Sequence, residues 1–377
     1  MACRWSRDRL IMEVTSGVLT PAALADRLAQ LPRVRLAELP TPLTDCARLS
    51  ADLGGPHILV KRDDCTGLAF GGNKVRQHEY VLGDAVAAGA DCLVQGAAAQ
   101  SNHSRQLAAA GARLGLETFL LPKVDPETTA LQGNYLVDHL LGATIRPIGP
   151  QDSSIEAKQQ LVAELQAAGR TPYVTGMGSE RALDLAAVAY VGAVLELLEQ
   201  LDGHAPQAIV TTSQGSTQAG LQLGCAVLGL TTEVIGICPM PPSHEAWIHP
   251  DEIAAMLQRA GRFLDVDISC SGADIELRGE FVGDGYGTAS PAGLAAMDLL
   301  GRTEGLLLDP VYTSKGFSGL LSEVRAGRWS SDDTVVFLHT GGLPALFAHP
   351  EAVLAAAGVP ACGSRAESRG DGGVGDA

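Results

Sequence analysis

Residues 91–122 read DCLVQGAAAQSNHSRQLAAAGARLGLETFLLP and contain the clearest structural pattern in the chain. The apolar run 91–96 is typical of a short buried strand, the alanine-rich segment 101–116 of a helix, and 117–122 of a second strand. A strand followed by a helix and another strand is the unit from which parallel sheets are built. The stretch therefore predicts an α/β fold with a parallel sheet.

The alternation of strand and helix patterns continues on both sides of this stretch. Residues 153–169 predict an amphipathic helix with apolar positions at Ile155, Leu161, Val162 and Leu165. Two α/β units follow from the count, one over 80–185 and the other over the remainder. The other predicted strands lie within 143–149, 206–215, 232–240 and 332–342. The other predicted helices lie within 21–31, 132–142, 216–230, 253–261 and 343–349.

Composition limits the classes of protein to be considered. The 377 residues are 46% hydrophobic and 19% charged, which indicates a compact globular chain of two-domain size. A net charge of −16 argues against nucleic acid or an anionic membrane surface as partner. No stretch approaches about 18 uninterrupted apolar residues, and the N-terminus lacks the apolar core of a signal peptide. The eight cysteines show no zinc-binding spacing, so we expect reduced thiols, no metal and a cytoplasmic location.

Only five lysines are available for chemistry that needs an amine: Lys61, Lys74, Lys123, Lys158 and Lys315. Lys74 lies in AFGGNKVRQHEY (69–80), where two glycines and Asn73 precede a helical pattern. The positive end of a helix dipole and partial burial both favour the neutral, nucleophilic form of an amine. Lys74 is therefore a candidate Schiff-base lysine, and the alternative is an ordinary surface lysine after a turn.

Two further loops lead from a predicted strand into a predicted helix. Ser101 or Asn102 could cap the helix over 101–116, and the amide groups there could also bind a substrate carboxylate. His103 is either a structural helix residue or a catalytic base. The loop in VTTSQGSTQAGL (210–221) could hold a phosphate through amides and hydroxyls, although it matches neither a Walker A motif nor G-x-G-x-x-G.

Five segments in order resemble one family of enzymes. The segments are LPTPLTDCARLSADLGG (39–55), RDDCTGLAFGGNKVRQ (62–77), GAAAQSNHSRQLAAAGARLGL (96–116), DPVYTSKGFSGLL (309–321) and LHTGG (338–342). Together they resemble the pyridoxal-phosphate enzymes grouped as 1-aminocyclopropane-1-carboxylate deaminase and D-cysteine desulfhydrase, over about residues 35–355.

The resemblance implies a fold and a domain organisation. It implies pyridoxal-phosphate fold type II, with two open, twisted parallel-sheet α/β domains, the cofactor in the cleft between them, and a homodimer. The large, cofactor-binding domain is expected over 31–79 and 186–360, and the small domain over 80–185. Residues 1–30 form an N-terminal extension whose role is not assigned. The glycine-rich and charged tail, 361–377, is expected to be disordered.

The resemblance also implies roles for individual residues. Lys74 matches the lysine that holds pyridoxal 5'-phosphate and later moves the Cα proton, whereas Lys315 matches a lysine that does not. Ser101, Asn102 and His103 match the segment that meets the substrate carboxylate and the cofactor ring, with Asn102 near the ring hydroxyl. Asn73 is expected beside the cofactor. The phosphate is expected at Ser213, Gln214, Gly215, Ser216 and Thr217, with Ser213 and Ser216 in place of the usual glycines, and Tyr286 and Tyr312 match two tyrosines over the cofactor.

Two positions favour one reaction within the family. Thr313 stands where the deaminase branch has a glutamate at the pyridine nitrogen, and Thr340 where that branch has a leucine. Because a hydroxyl cannot hold a proton on the ring nitrogen as a carboxylate can, carbanion delocalisation into the ring is weakened. Such a ring suits β-elimination better than cyclopropane ring opening, and D-cysteine is the expected substrate, giving pyruvate, ammonia and hydrogen sulfide.

Other activities share the same residues and stay open. They are 1-aminocyclopropane-1-carboxylate deamination, L-cysteate sulfo-lyase activity, β-chloroalanine elimination and a biosynthetic β-replacement. A protein that binds pyridoxal phosphate without turnover is the alternative from another class. The catalytic candidates are Lys74, Ser101, Tyr286 and Tyr312.

Overall fold

The computed structural model of the chain describes residues 12–213, 215–244 and 246–357. The predicted disorder of 361–377, the first part of the N-terminal extension and Gln214 of the predicted phosphate loop lie outside the described residues.

The elements alternate along the chain as the sequence predicts. The strands are β1 (Glu13–Val14), β2 (Leu43–Asp45), β3 (His57–Arg62), β4 (Cys92–Ala98), β5 (Glu117–Lys123), β6 (Thr144–Ile145), β7 (Pro172–Val174), β8 (Ala208–Thr212), β9 (Glu233–Ile237), β10 (Ile268–Ser269), β11 (Glu276–Arg278) and β12 (Thr334–His339). The helices are α1 (Pro21–Ala29), α2 (Ala47–Leu53), α3 (Asn73–Ala87), α4 (Asn102–Leu114), α5 (Gly133–Leu140), α6 (Ser154–Ala167), α7 (Glu180–Gln200), α8 (Ser216–Val227), α9 (Pro250–Arg262), α10 (Pro291–Glu304), α11 (Thr313–Arg325), α12 (Leu343–Ala348) and α13 (Pro350–Ala356).

Two sheets organise these elements. One has six strands in the order β11-β9-β8-β12-β3-β2, and only the edge strand β2 runs antiparallel to its neighbour. The other has four parallel strands in the order β6-β5-β4-β7. The predicted parallel α/β architecture is thus confirmed. The four-stranded sheet falls inside the interval 80–185, while the domain boundaries themselves stay a prediction.

Helix α7 joins the packing of the two sheets. Its 21 residues present a long buried face that includes Ala187, Tyr190 and Val194. Helix α8 lies against this face so closely that a Cβ at Gly220 would be 2.6 Å from the Cβ of Tyr190. The glycine at this crossing lets the two helices pack in direct contact.

Helix α6 differs in part from the prediction. Its buried residues are Ser154, Lys158, Leu161 and Leu165, whereas Ile155 is 42% exposed. Positions 154, 158, 161 and 165 share one face at helical spacing, and Ile155 lies about 100° around the helix from Ser154. The expectation of an inward apolar side chain at Ile155 was wrong because a serine and a lysine occupy the inner face at the start of this helix.

Most of the helices that follow a parallel strand begin at the same end of the sheets. Helix α3 starts after β3 and two short turns, α4 after β4, α8 after β8 and α12 after β12. Ligands of open α/β sheets bind at the carboxyl ends of the strands, where these helix N-termini gather. Among the described helices, none has the length and apolar character needed to cross a bilayer.

Candidate active site

One cavity of about 530 Å³ lies at the carboxyl ends of both sheets. The sequence-predicted residues on its wall are Asn73, Lys74, Ser101, Asn102, His103, Ser216, Thr217, Tyr286, Tyr312 and Thr340. The fold therefore brings together residues that are up to 267 positions apart in the chain.

Lys74 is the second residue of α3 and lies on the cavity wall. Burial lowers the pKa of its amine to about 8, which is the direction that a nucleophilic lysine needs. Other lysines are engaged elsewhere: Lys61 forms an ion pair with Glu196, and Lys315 donates to the carbonyl of Gly285 at 3.0 Å. Lys74 is thus well suited to the role that the sequence predicts.

Close backbone packing fixes the start of α3. A Cβ at Gly341 would lie 2.7 Å from the Cα of Gly72, and φ is +125° at Gly72 and +93° at Gly341. The Asn73 amide donates to the carbonyl of Thr340 at 3.0 Å. The Val75 amide donates to Oε1 of Gln106 in α4 at 2.8 Å. The end of β12 and the side chain of Gln106 in α4 therefore hold the lysine-bearing turn in place.

The N-terminus of α8 forms a polar cup. Nε2 of Gln77 donates to Oγ of Ser216 at 3.2 Å and to Oγ1 of Thr217 at 3.1 Å, and Nδ2 of Asn73 donates to the same Thr217 oxygen at 3.1 Å. The first amides of a helix have no partner within the helix and attract anions. Ser216 and Thr217 thus lie at a helix N-terminus on the cavity wall, and their role in phosphate binding stays a prediction.

Other residues of the predicted phosphate loop lie behind this cup. Ser213 is fully buried, and its Oγ accepts the Gly215 amide at 3.3 Å. Neither Ser213 nor Gly215 is on the described wall of the cavity. Gly215 has φ of +106°, and a Cβ there would lie 2.8 Å from Ile248, so this turn requires glycine.

Ser101 and Asn102 are held by the start of α4. Ser101 caps the helix, because its Oγ accepts the Ser104 amide at 3.2 Å. Oδ1 of Asn102 accepts from Nδ2 of Asn134 at 2.8 Å, and Arg105 in turn donates to Oδ1 of Asn134 at 2.7 Å. Ser101 therefore caps helix α4, as one interpretation of the sequence predicts, and it also lies on the cavity wall.

Two histidines adjoin on the cavity wall, and sequence analysis found only one of them. The rings of His103 and His78 are 4.9 Å apart between centroids. Burial, with the charge of Lys74, lowers the pKa of His78 to about 3, and burial and His78 lower the pKa of His103 well below its usual value. Both imidazoles are therefore neutral near pH 7. His78 is four residues after Lys74, so helical spacing could have placed it on the same face.

Tyr286 and Tyr312 meet through their hydroxyl groups, which share a hydrogen bond. Their ring centroids are 6.0 Å apart at 70°, and the ring of His244 lies 4.5 Å from that of Tyr286. Asp309 shapes the turn before α11, since its Oδ2 accepts the amides of Val311 and Tyr312 at 2.9 and 2.8 Å. The pair is placed to exchange a proton with a group in the cavity.

Thr313 differs from its prediction as a cofactor contact. It is fully buried and is not on the described cavity wall. Its Oγ1 lies 2.7 Å from Oδ1 of Asp309, which also accepts the Thr313 amide at 2.8 Å. The Thr313 hydroxyl therefore bonds to the buried carboxylate of Asp309, whereas the family resemblance places it at the pyridine nitrogen of the cofactor. Thr340, by contrast, lies on the cavity wall.

The charge of the cavity is opposite to that of the chain. Lys74 and Lys123 line it, and no Asp or Glu belongs to the part of its wall that the structure describes, although the sequence has 43 acidic residues. The N-termini of α3, α4 and α8 also point their amides towards it. This set of donors, with one activated amine, fits a phosphorylated aldehyde such as pyridoxal phosphate together with the carboxylate of an amino acid.

Comparisons with known proteins agree with this geometry. Residues 34–341 match the family described as pyridoxal-phosphate dependent enzyme. The chain is 37% identical over 330 residues to a D-cysteine desulfhydrase of Klebsiella pneumoniae (strain 342), covering 86% of this chain and 98% of that protein. It is 38% identical over 335 residues to a D-cysteine desulfhydrase of Yersinia enterocolitica, covering 87% and 99%.

Two solved structures are also similar to the chain. One is described as the 1-aminocyclopropane-1-carboxylate deaminase homologue, with a TM-score of 0.80, 31% identity and coverage of 90% of this chain and 100% of that chain. The other is Escherichia coli diaminopropionate ammonia lyase in its apo form, with a TM-score of 0.64, 15% identity and coverage of 91% and 93%. These likenesses confirm the predicted fold class.

Proposed function

Because the chain belongs to the family of pyridoxal-phosphate dependent enzymes, we propose that it catalyses the β-elimination of D-cysteine to pyruvate, ammonia and hydrogen sulfide. The relatives named D-cysteine desulfhydrase support this choice of substrate. The observation that carries the choice of elimination is the absence of a carboxylate from the described cavity wall. Since no described wall residue is an acid that could hold a proton on the pyridine nitrogen, the ring would be a weak electron sink, which suits loss of a good leaving group.

In this proposal, different residues bind the cofactor aldehyde, the cofactor phosphate and the substrate carboxylate. Lys74 would hold the cofactor aldehyde, and the cup formed by Ser216 and Thr217 at the α8 N-terminus would hold its phosphate. The α4 N-terminus at Ser101 would bind the substrate carboxylate, with Asn102 near the ring hydroxyl. When bound, pyridoxal phosphate supplies the electron sink that makes the Cα proton acidic.

Proton movement falls to this chain's own side chains. The Lys74 amine takes the Cα proton, because its lowered pKa keeps part of it neutral. The linked hydroxyls of Tyr286 and Tyr312 are positioned to protonate the departing sulfur. The Cα–H and Cβ–S bonds break, the Cβ–S electron pair leaves with sulfur, and water supplies the keto oxygen of pyruvate as ammonium is released.

Assays with two substrates in parallel test the proposal. We expect pyruvate and sulfide in equal amounts from D-cysteine, and no 2-oxobutyrate from 1-aminocyclopropane-1-carboxylate. Release of 2-oxobutyrate at a comparable rate would show that the ring-nitrogen argument is wrong and that the deaminase reaction is the correct one. Turnover of neither substrate would overturn the proposal.

The pKa of Lys74 leads to a prediction for cofactor loading. After cofactor removal with hydroxylamine and dialysis, the rate at which added pyridoxal phosphate restores visible absorbance should rise with pH. A pKa of about 8 gives a neutral fraction of about 10% at pH 7 and about 50% at pH 8, so the rate should rise about fivefold and level off above pH 9. A rate that continues to rise tenfold per pH unit up to pH 10 would contradict the lowered pKa.

We also propose that the enzyme works as a homodimer in the cytoplasm, with a large domain over 31–79 and 186–360 and a small domain over 80–185. The family resemblance supports the dimer, and the separate four-stranded sheet supports the division. Sedimentation equilibrium at a mass of one chain, 39.1 kDa, would overturn the dimer.

A further inference from the structure

One fully buried arginine links the turn that carries Lys74 to the first turn of α4. Arg105 lies in α4, and its guanidinium donates to the backbone carbonyls of Ala69 and Gly71, to the second at 3.1 Å. Its Nε donates to Oδ1 of Asn134 in α5 at 2.7 Å. The guanidinium thus joins α4 and α5 to the segment that directly precedes α3.

The segment that Arg105 holds has a strained backbone. Four consecutive residues, which we call the strained turn, have positive φ: +45° at Ala69, +69° at Phe70, +63° at Gly71 and +125° at Gly72. Residues other than glycine keep such angles only where the surrounding structure enforces them. The ring of Phe70 is 58% exposed, so its own packing does not enforce them. The hydrogen bonds from Arg105 to this turn therefore help to hold it.

No ion pair matches the charge of Arg105. Its acceptors are carbonyl and amide oxygens, and no carboxylate lies within ion-pair distance of it among the described residues. Burial lowers the pKa of Arg105 to about 10, so the guanidinium remains charged at pH 7. A buried cation without a counter-ion carries a large desolvation penalty. The hydrogen bonds of Arg105 must offset that penalty, so its role is to be sought in the groups that they hold.

The amide of Asn102, which lies on the cavity wall, is the second group that Arg105 affects. Oδ1 of Asn102 accepts from Nδ2 of Asn134 at 2.8 Å and from the Arg105 guanidinium at 3.5 Å. Arg105 also fixes the orientation of the Asn134 amide, because a guanidinium can bond only to its oxygen. With the oxygen of Asn102 engaged in this way, its Nδ2 is the atom left to donate to a group in the cavity.

We propose that Arg105 is a positioning residue for both turns of the site. It holds the strained turn, and with it Lys74, and through Asn134 it orients Asn102 so that its Nδ2 donor is available to the cofactor ring. The inference rests on the proposed function, because it concerns the same lysine and the same cofactor. Arg105 acts through the geometry of these two side chains. Lysine cannot fully replace it, since an ammonium lacks the planar fork that reaches several acceptors.

The rate of cofactor loading tests the effect on Lys74 without any substrate. After cofactor removal with hydroxylamine and dialysis, pyridoxal phosphate is added at pH 7 and the visible absorbance is followed. The rate constant should fall about 10-fold in Arg105→Lys and about 100-fold in Arg105→Met, because small displacements of a reacting group are that costly. The kcat for D-cysteine, counted per bound cofactor, should fall by similar factors. A variant that is merely less stable would keep both values, since both describe folded protein only.

Asn134→Asp tests the effect on Asn102 separately. The substitution keeps an oxygen for Arg105 but removes the Nδ2 donor, so the Asn102 amide turns over to avoid two facing oxygens. An oxygen then faces the cofactor ring and the substrate carboxylate. The KM for D-cysteine should rise about 10-fold and the visible absorbance maximum of the bound cofactor should move, while the loading rate stays within about threefold of wild type. An unchanged KM with an unmoved absorbance maximum would overturn this part of the inference.

Asp138→Asn is the matched control for a change at a buried site beside Arg105. Asp138 is 2% exposed in α5, its charge opposes the effect of burial on the pKa of Arg105, and its Oδ1 has no hydrogen-bond partner among the described residues. Burial raises the pKa of Asp138 to about 8, so at pH 7 the substitution mainly exchanges one neutral group for another of similar shape. Loading rate, KM and kcat at pH 7 should stay within about twofold of wild type.

The outcomes separate failure of this inference from failure of the proposed function. If wild type releases pyruvate from neither D-cysteine nor β-chloroalanine, the proposed function fails, and the loading rates and the absorbance maximum still test Arg105. A loading rate of Arg105→Lys within twofold of wild type would overturn the inference. An equal loss in Asp138→Asn would also overturn it, since the cause would then be disturbed packing. If Arg105→Met does not fold, Arg105→Lys and Asn134→Asp decide the two effects.

Discussion

Replacing Lys74 with alanine is expected to abolish pyruvate release from D-cysteine, with a loss of at least about 10³-fold in kcat. Lys74 is the only lysine that combines a place on the cavity wall with a pKa lowered to about 8, among the residues that the structure describes. Removing it takes away both the anchor for the cofactor and the base for the Cα proton. The visible absorbance of the covalently held cofactor should disappear with the activity, which a spectrum of the purified protein would show.

Two companion variants make this result specific. Lys74→Arg keeps a cation at the start of α3 but has no amine that can join an aldehyde, so it should be as inactive as Lys74→Ala. Arg113→Ala removes an exposed cation of α4 and should keep wild-type activity. Sustained turnover by Lys74→Ala, in protein whose unfolding midpoint matches wild type, would remove Lys74 from the catalytic role.

The second large effect concerns the charges buried behind the lysine-bearing turn. Arg76 lies two residues after Lys74, and its guanidinium donates to Asp63 at 2.8 Å and to Glu196 of α7 at 2.9 Å. Asp63 is fully buried and also accepts the Tyr190 hydroxyl at 2.7 Å. Replacing Arg76 with methionine leaves the Asp63 carboxylate buried without its ion-pair partner, whereas Glu196 keeps Lys61. The free energy of unfolding should fall by about 3–5 kcal/mol.

Urea unfolding of Arg76→Met checks the magnitude, and pH checks the cause. Burial alone would raise the pKa of Asp63, but Arg76 outweighs it and holds the pKa below its usual value. The stabilisation is then present above the unfolded-state pKa and is lost as pH falls through the folded-state pKa. The difference between wild type and variant should therefore shrink in acid.

Arg146→Met is the control for this network. Its ion pair with Glu164 is about half exposed on both sides, so the substitution should cost no more than about 1 kcal/mol. Equal losses in the free energy of unfolding for Arg76→Met and Arg146→Met would show that the buried network stabilises the fold no more than an exposed ion pair does.

Local patterns predicted most of the fold because strands and helices with regular spacing leave a clear periodicity. The strand in 91–96 and the helix in 101–116 appear as β4 and α4 within a few residues. Helix α7 was not predicted, since its alanine-rich sequence is apolar on most sides and lacks a distinct face. The strand pair of β1 and β10 joins residues 254 and 256 positions apart, a contact for which two-residue strands leave no pattern.

Sequence analysis predicted the site residues that belong to recognisable motifs. It predicted less well those residues whose side-chain direction is set by packing in the folded structure. Lys74, Ser101, Tyr286 and Tyr312 lie together on the cavity wall as expected, while their catalytic roles remain to be tested. The direction of the Thr313 side chain depends on the buried carboxylate of Asp309, which sequence alone does not place. Ser154 and Lys158 interrupt an apolar helix pattern, and only the folded structure shows that Ser154 lies on the cavity wall.

The contact between Gly72 and Gly341 has a consequence for engineering of this enzyme. A side chain at either position would need to occupy space that backbone or Gln106 already fills. Combinatorial libraries that seek new substrates should therefore hold both codons constant and place their diversity at wall residues such as Gln151. A library that randomises the two glycines would consist largely of chains that misplace Lys74, whatever improvement the rest of the pocket contains.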